Sequence, residues 1–184
     1  MQFNSHFHLA GKHARLTASR PHWLKYDEDK LDRVFFAMEE AERGTKLHEY
    51  AAMAIRLGQK QPNSRTTMSM YINDAIGYRM TPEQPLFYSI NCFGTPDAIS
   101  FRNNVLRIHD LKTGVTQAKM DQLMVYTALF CMEYKFDPNQ IEIYLRIYQN
   151  DQINQYQPLP DDIFHIQDKI ITFSKRIDYL KEGL

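Results

Sequence analysis

Hydrophobic positions recur with two periods along this chain, and the switch between them outlines the fold. Helical spacing predicts helices near 28–42 and 45–57, separated around Gly44, and again over 65–79 with Met68, Tyr71, Ile72 and Ala75 on one side. Lys60 to Ser64 reads as a polar loop. Strands follow near 86–92, 95–101 and 105–112, where residues alternate or run apolar. From Gln117 to about Lys135, Met120, Leu123, Thr127, Phe130, Cys131 and Tyr134 form a helical stripe. IEIYLRIYQ returns to period two, setting Ile141, Ile143, Leu145 and Ile147 against Glu142, Tyr144, Arg146 and Tyr148. Asn154 to Asp162 reads as a loop. Asp161 or Asp162 then caps a last helix carrying Ile166, Ile170, Phe173, Ile177 and Leu180. These elements predict a mixed α/β (α+β) domain, a central mixed sheet flanked by helices.

The strand pattern also places charge where packing would not. Phe101-Arg102-Asn103-Asn104 suits a turn, so 95–101 and 105–112 make a hairpin. Leu106, Ile108, Asp110 and Lys112 then share one face, and Val105, Arg107, His109 and Leu111 the other. An acid and a base ending an apolar face are costly there unless paired or used. Asp97 stands 13 positions before Asp110, a separation that lets the two arms bring their functional ends together. A structural ion pair of Lys112 with Asp110 or Asp97 is the plainer account. Two carboxylates and a lysine are also the parts for metal-dependent phosphodiester hydrolysis, with hard oxygen ligands for Mg²⁺ or Mn²⁺ and a cation to offset phosphate charge. Downstream, Gln122 and Tyr126 lie four apart and project from one side of their helix.

GTPDAI, LRIHDLKTG and QLMVY, with GTKLHEYAAMAI upstream, resemble in order the motifs of the RecB-like branch of the PD-(D/E)xK nuclease superfamily. The resemblance covers roughly residues 13 to 135. It implies a restriction-endonuclease-like core over a single domain, 1–184, with a helical amino-terminal portion. It also implies a metal-dependent deoxyribonuclease that leaves 5′-phosphates, an exonuclease of phage-type recombination or DNA processing. In that scheme His48, Asp97, Asp110 and the Leu111 carbonyl hold Mg²⁺ or Mn²⁺. Asp97, Asp110, Lys112, Gln122 and Tyr126 are the catalytic set. Glu83 is the nearest match to a glutamate that many members carry before the second motif, and Glu49 is a weaker neighbour of His48. Ser19 and Trp23, within 13–24, resemble an amino-terminal feature of phage members. Implied partners are DNA, a single-strand annealing or other recombination protein, and a second copy of the chain. The alternatives are a noncatalytic DNA-binding or structural protein, and a subunit that acts only with its partner.

Composition trims this picture. Two cysteines, Cys92 and Cys131, are too few for the four-cysteine iron–sulfur cluster of some members, and their apolar settings suit free buried thiols in a reducing compartment. Net charge is zero, 22 basic against 22 acidic side chains, which argues against a tight nonspecific coat on nucleic acid. Charge is segregated, however. Residues 1–25 hold Lys12, Arg15, Arg20, Lys25 and four histidines with no acid, and 46–80 hold five Lys or Arg, Arg65 and Arg79 among them, against two acids. A basic face near the cleft is expected. No run suits a membrane span or a secretory signal, so the cytoplasm is the expected compartment, the host's if the chain is phage-encoded.

Overall fold

The computed structural model describes residues 4–12 and 14–183. The chain divides into two compact units, Met1–Arg43 and Gly44–Leu184. His13, the first residue of both the family resemblance and the 13–24 stretch, lies outside the described residues.

The first unit contains two 3₁₀ turns, Phe7–Leu9 and Pro21–Lys25, and the start of helix α1 (Glu28–Arg56). Trp23 Nε1 donates to the Thr17 carbonyl at 2.9 Å, and the Thr17 and Ser19 hydroxyls are 3.0 Å apart. Arg15 pairs with Glu39 and lies over the Phe35 ring. The expected break at Gly44 does not occur, since α1 is one helix. A glycine inside a helix costs about 1 kcal/mol against alanine, too little to end it. Gly44 is buried, and a Cβ there would lie 3.0 Å from Thr113 Oγ1, so its use is close approach.

The second unit is a mixed α/β fold. It continues with α2 (Thr67–Gly77), β1 (Thr81–Pro82), β2 (Leu86–Ser89), β3 (Cys92–Gly94), β4 (Ala98–Arg102), β5 (Val105–Leu111), α3 (Asp121–Tyr134), β6 (Glu142–Gln149), β7 (Gln152–Tyr156) and α4 (Pro160–Glu182). Five strands form one sheet in the order β1-β4-β5-β6-β7. β5 and β6 are parallel and the other pairs antiparallel, so the sheet is mixed and helices flank it, as expected. The β4–β5 hairpin turns on Asn103 and Asn104, with φ of 51° and 59°, the double left-handed geometry that suits a right-twisted two-residue turn.

Alternation along the strands divides the core. Leu106, Ile108, Ile143, Leu145 and Ile147 pack with Leu123, Leu129 and Ile163 of α3 and α4. On the opposite face Ala98, Leu111 and Tyr148 pack with Ala51, Ala54, Ile55, Tyr71, Ile72 and Ala75. Each fully buried Leu or Ile contributes about 1.5–3 kcal/mol. Tyr71 is therefore core, whereas Phe87 is exposed. Cys131 is buried as expected, and Cys92 only half-buried; both are free.

Five further expectations change. Residues 86–92 are not one strand, because the chain turns at Ile90-Asn91 and β2 pairs back on β3 as a separate hairpin. α3 starts at Asp121, after a loop that Gln149 ties down through bonds with Gly114, Thr116 and Ala118. The stretch read as a loop from Asn154 contains most of β7, an edge strand with every residue exposed and hence without apolar alternation. On α4, Ile163, Ile170 and Ser174 are buried while Phe173 and Leu180 face outward. Pro160 opens that helix, and Asp162 accepts from the Leu159 N–H rather than serving as the cap residue itself. Among the described residues no helix is long and apolar enough to cross a membrane.

On the α2 side of the sheet lies a buried polar chain. The Tyr148 hydroxyl donates to Asp74 Oδ2 at 2.6 Å, where Arg146 also donates at 2.8 Å. His109 Nδ1 sits 3.2 Å from the same hydroxyl and so carries the proton that Tyr148 accepts. Its Nε2 has no partner among the described residues. Burial, then Arg146 and Arg107, push the His109 pKa down to about 3. Between the ordinary histidine value and 3 the unfolded chain binds a proton the fold refuses, so this site makes stability fall as pH drops through that range. Asp110, raised to about 6, acts in the opposite direction between 6 and its ordinary value, over a smaller shift. His109→Gln should therefore lose less stability than wild type between pH 6.5 and 4, by a few kcal/mol at most, in urea unfolding with chelator present. Equal losses in the two proteins would contradict this account.

Candidate active site

The carboxyl end of β5 carries the acid–lysine pair. Asp110 is 2% exposed and Lys112 follows on the same face. Lys112 has left the assigned strand, yet its N–H still bonds to the Tyr148 carbonyl at 2.9 Å, so the direction of its side chain is fixed. Asp97 enters just before β4. Its Oδ2 accepts the Leu111 N–H at 2.8 Å, which clamps the two arms of the hairpin at their functional ends.

Each residue of the expected set joins one of two short chains of polar contacts, which meet at the adjacent residues Asp110 and Leu111 of β5. His48 Nδ1, from α1, lies 3.3 Å from Asp97 Oδ1. Lys112 Nζ stands 2.9 Å from Asp110 Oδ2 and donates to its Oδ1 at 3.1 Å. The same ammonium donates to Gln122 Oε1 at 3.1 Å, and Gln122 Nε2 donates to the Tyr126 hydroxyl at 2.9 Å. Leu111 takes part through its N–H. Glu83 does not join the chain; its carboxylate is held by Arg56 at 2.5 Å, although its N–H bonds to the Asp97 carbonyl. Glu49 is exposed, and Arg65 and Arg79 lie exposed at opposite ends of α2.

The electrostatics follow from crowding acids in a dry place. Burial, then Asp97, raise the Asp110 pKa to about 6, against the opposing pull of Lys112 and His48. His48 is raised chiefly by its bond to Asp97, against the cost of burial. Behind them Tyr71 is buried in the core, and burial together with Asp97 and Asp110 keeps its phenol protonated. A lysine ammonium has three donors, and the Asp110 and Gln122 oxygens take two. The third remains for a group entering from solvent, toward which the Lys112 side chain is 30% exposed.

The donor set suits a hard divalent cation in kind, with two carboxylates and an imidazole from His48, Asp97 and Asp110. Asp110 Oδ2 is buried and lacks a hydrogen bond, because the nearby ammonium is not aligned with it. Among the described residues, however, no three His, Cys, Asp or Glu side chains already converge as a cage. The carboxylates are turned instead toward His48, the Leu111 N–H and Lys112.

Gly94 was not singled out from sequence, although it opens the quoted GTPDAI. A Cβ at Gly94 would lie 2.8 Å from Tyr126 Cε1, closer than side chains approach. Its φ is not left-handed, so the missing side chain provides space for the ring and nothing else. Only the long-range contact carries that signal, and no local pattern could have shown it. Comparison with family models, with curated proteins and with solved structures finds no match.

Gly94→Ala should destabilise the fold by about 1–3 kcal/mol through overpacking, and that penalty should largely vanish in a Tyr126→Ala background. A double-mutant cycle of thermal or urea unfolding reads the coupling. Simple additivity would show that Gly94 does not act on Tyr126.

Proposed function

We propose that the chain is a divalent-metal-dependent DNA nuclease of the PD-(D/E)xK class, RecB-like branch, hydrolysing phosphodiester bonds to leave 5′-phosphates. The single observation that carries the reading is the contact chain His48–Asp97–Leu111 N–H together with Asp110–Lys112–Gln122–Tyr126. Seven residues from four separated motifs, which the resemblance assigns to one reaction, lie around the end of one hairpin. A structural ion pair explains Asp110 with Lys112, but not why a second acid and a histidine stand beside them.

His48, Asp97 and Asp110 would hold Mg²⁺ or Mn²⁺, with the Leu111 carbonyl beside them. When bound, the cation supplies Lewis-acid stabilisation of the charge that grows on the phosphate and the departing oxygen. Lys112, anchored by Asp110 and Gln122, directs its remaining N–H toward the attacking water or a phosphate oxygen. Water attacks phosphorus in line, the bond to the 3′ oxygen breaks, and a 5′-phosphate and a 3′-hydroxyl remain. Tyr126 and Gln122 keep the lysine in place without adding charge that would compete for the cation. Exonuclease action within phage-type recombination, beside an annealing protein, is the biological setting that the resemblance suggests.

A second reading, a subunit active only with its partner, draws on one feature. Phe87 and Phe93 pair across the β2–β3 hairpin and both are exposed, with Ile90 exposed at its turn.

Purified protein should cut end-labelled linear DNA with Mg²⁺ or Mn²⁺ and not with chelator. Asp110→Ala and Lys112→Ala should each lower the rate by about 10²–10³-fold or more, and Tyr126→Phe by about tenfold. Cleavage that survives Asp110→Ala would remove this reading. Silence that ends only when a copurifying protein is added would favour the second.

A further inference from the structure

The sheet carries a second set of polar side chains on the same face as the candidate active site. Asp110 pairs in register with Ile147 on β6, and Ile147 with Asn154 on β7. Asp110, Ile147 and Asn154 thus form one row across three strands, with side chains on one face. Gln149 and Gln152 form the next row, beside Lys112, which follows Leu111 and its partner Tyr148. Two strand spacings place Asn154 about 10 Å from Asp110. A cavity of about 330 Å³ opens here, lined by Gln117, Ile147, Gln149, Asn150, Gln152 and Asn154 with Ala118.

Five of those residues are primary amides and none is charged. Two are committed to building the wall. Gln149 accepts from the Ala118 N–H at 3.1 Å and donates to the Gly114 and Thr116 carbonyls, while Asn150 Nδ2 donates to the Val115 carbonyl at 3.3 Å. The loop before α3 is thereby fixed against the end of β6. The amides of Gln117, Gln152 and Asn154 have no protein partner among the described residues, and they face a formed cavity. An amide offers a donor and an acceptor in one plane, the pattern found along the edge of a nucleobase. Without charge the cavity has nothing to hold a phosphate against water.

We infer that this cavity is a base-reading subsite, in which Gln117, Gln152 and Asn154 hydrogen-bond the edge of a nucleobase flanking the phosphate held at Asp97, Asp110 and Lys112. The inference rests on the nuclease reading for its register with the cut. At the ~3.4 Å rise of a duplex strand, 10 Å places the base within about three nucleotides of the attacked bond. On the major-groove edge adenine is the favoured base, because only its adjacent N7 acceptor and N6 amino group match a glutamine or asparagine amide there with two bonds. The subsite makes cleavage dependent on local sequence, even though the active-site chemistry touches only the backbone.

The test reads binding apart from cleavage. A single-stranded adenine octamer is added to ¹⁵N-labelled protein in chelator while the side-chain amide signals of Gln117, Gln152 and Asn154 are followed. Those signals should shift, and an octamer of abasic sites, which keeps the phosphates and lacks the bases, should leave them in place. Q152A/N154A changes two exposed edge-strand residues and should melt with the wild type. It should bind the adenine octamer roughly five- to a hundredfold more weakly, the loss of two to three neutral hydrogen bonds. With Mg²⁺, sequenced cut sites should show a base preference in wild type that flattens in the double variant. Unmoved amide signals, or equal affinity of wild type and double variant, would overturn the subsite. Shifted signals in a protein that cuts no DNA with any cation would leave the subsite standing and remove the nuclease reading.

Discussion

A carboxylate that is 2% exposed and faces a second acid does not stay charged unless something nearby carries the opposite sign. Asp110 is in that position, and much of the second unit is arranged around it. Leu106 and Ile108 bury the strand that delivers it and supply the apolar energy that offsets its desolvation. Lys112 supplies the charge, Gln122 fixes Lys112, Tyr126 fixes Gln122, and the bare Cα of Gly94 leaves room for Tyr126. From the other arm of the hairpin, Asp97 raises the electrostatic tension while its bond to the Leu111 N–H closes the arms together. Burial and then Asp97 raise the proton affinity of Asp110, and the bond to Asp97 raises that of His48. Two acids and an imidazole crowded in this way are the kind of donors that a hard divalent cation takes, which is what the proposed reading asks of them.

What could be read ahead of the structure follows from which forces are local. The β4–β5 hairpin was legible because Asn103-Asn104 has the turn chemistry and the alternation fixes its register, so that Asp110 and Lys112 had to share a face. Gln122 and Tyr126 were legible as a pair because helical geometry alone brings them together. β7 was not legible: at an edge, backbone pairing with β6 holds QINQY without burying any of it. Gly44 misled for the reverse reason, since tertiary packing through 44–56 overrides a weak local preference and uses the missing side chain near Thr113. The resemblance grouped Lys112, Gln122 and Tyr126 in one set without the linkage that joins them. The dependence of that linkage on Gly94, and the spent role of Glu83 at Arg56, needed three-dimensional contacts.

The balance of 22 basic and 22 acidic side chains also takes on meaning. A protein without excess positive charge gains little from counterion release, so contact with nucleic acid must come from shaped, specific groups. The face of the sheet that holds Asp110 offers such groups in two adjacent rows, Lys112 beside Gln152 and Asp110 beside Asn154. Neutral hydrogen-bonding groups there add no charge to the field of the crowded acids.

The central claim is that His48, Asp97 and Asp110 form one cation site, and direct titration of Mn²⁺ tests it without any substrate. Calorimetry on wild type, Asp97→Asn and Asp110→Asn should show a bound ion in the first. Either substitution should weaken its affinity by about tenfold or more. Mn²⁺ bound equally well by all three proteins, or by none of them while each stays folded, would contradict the account.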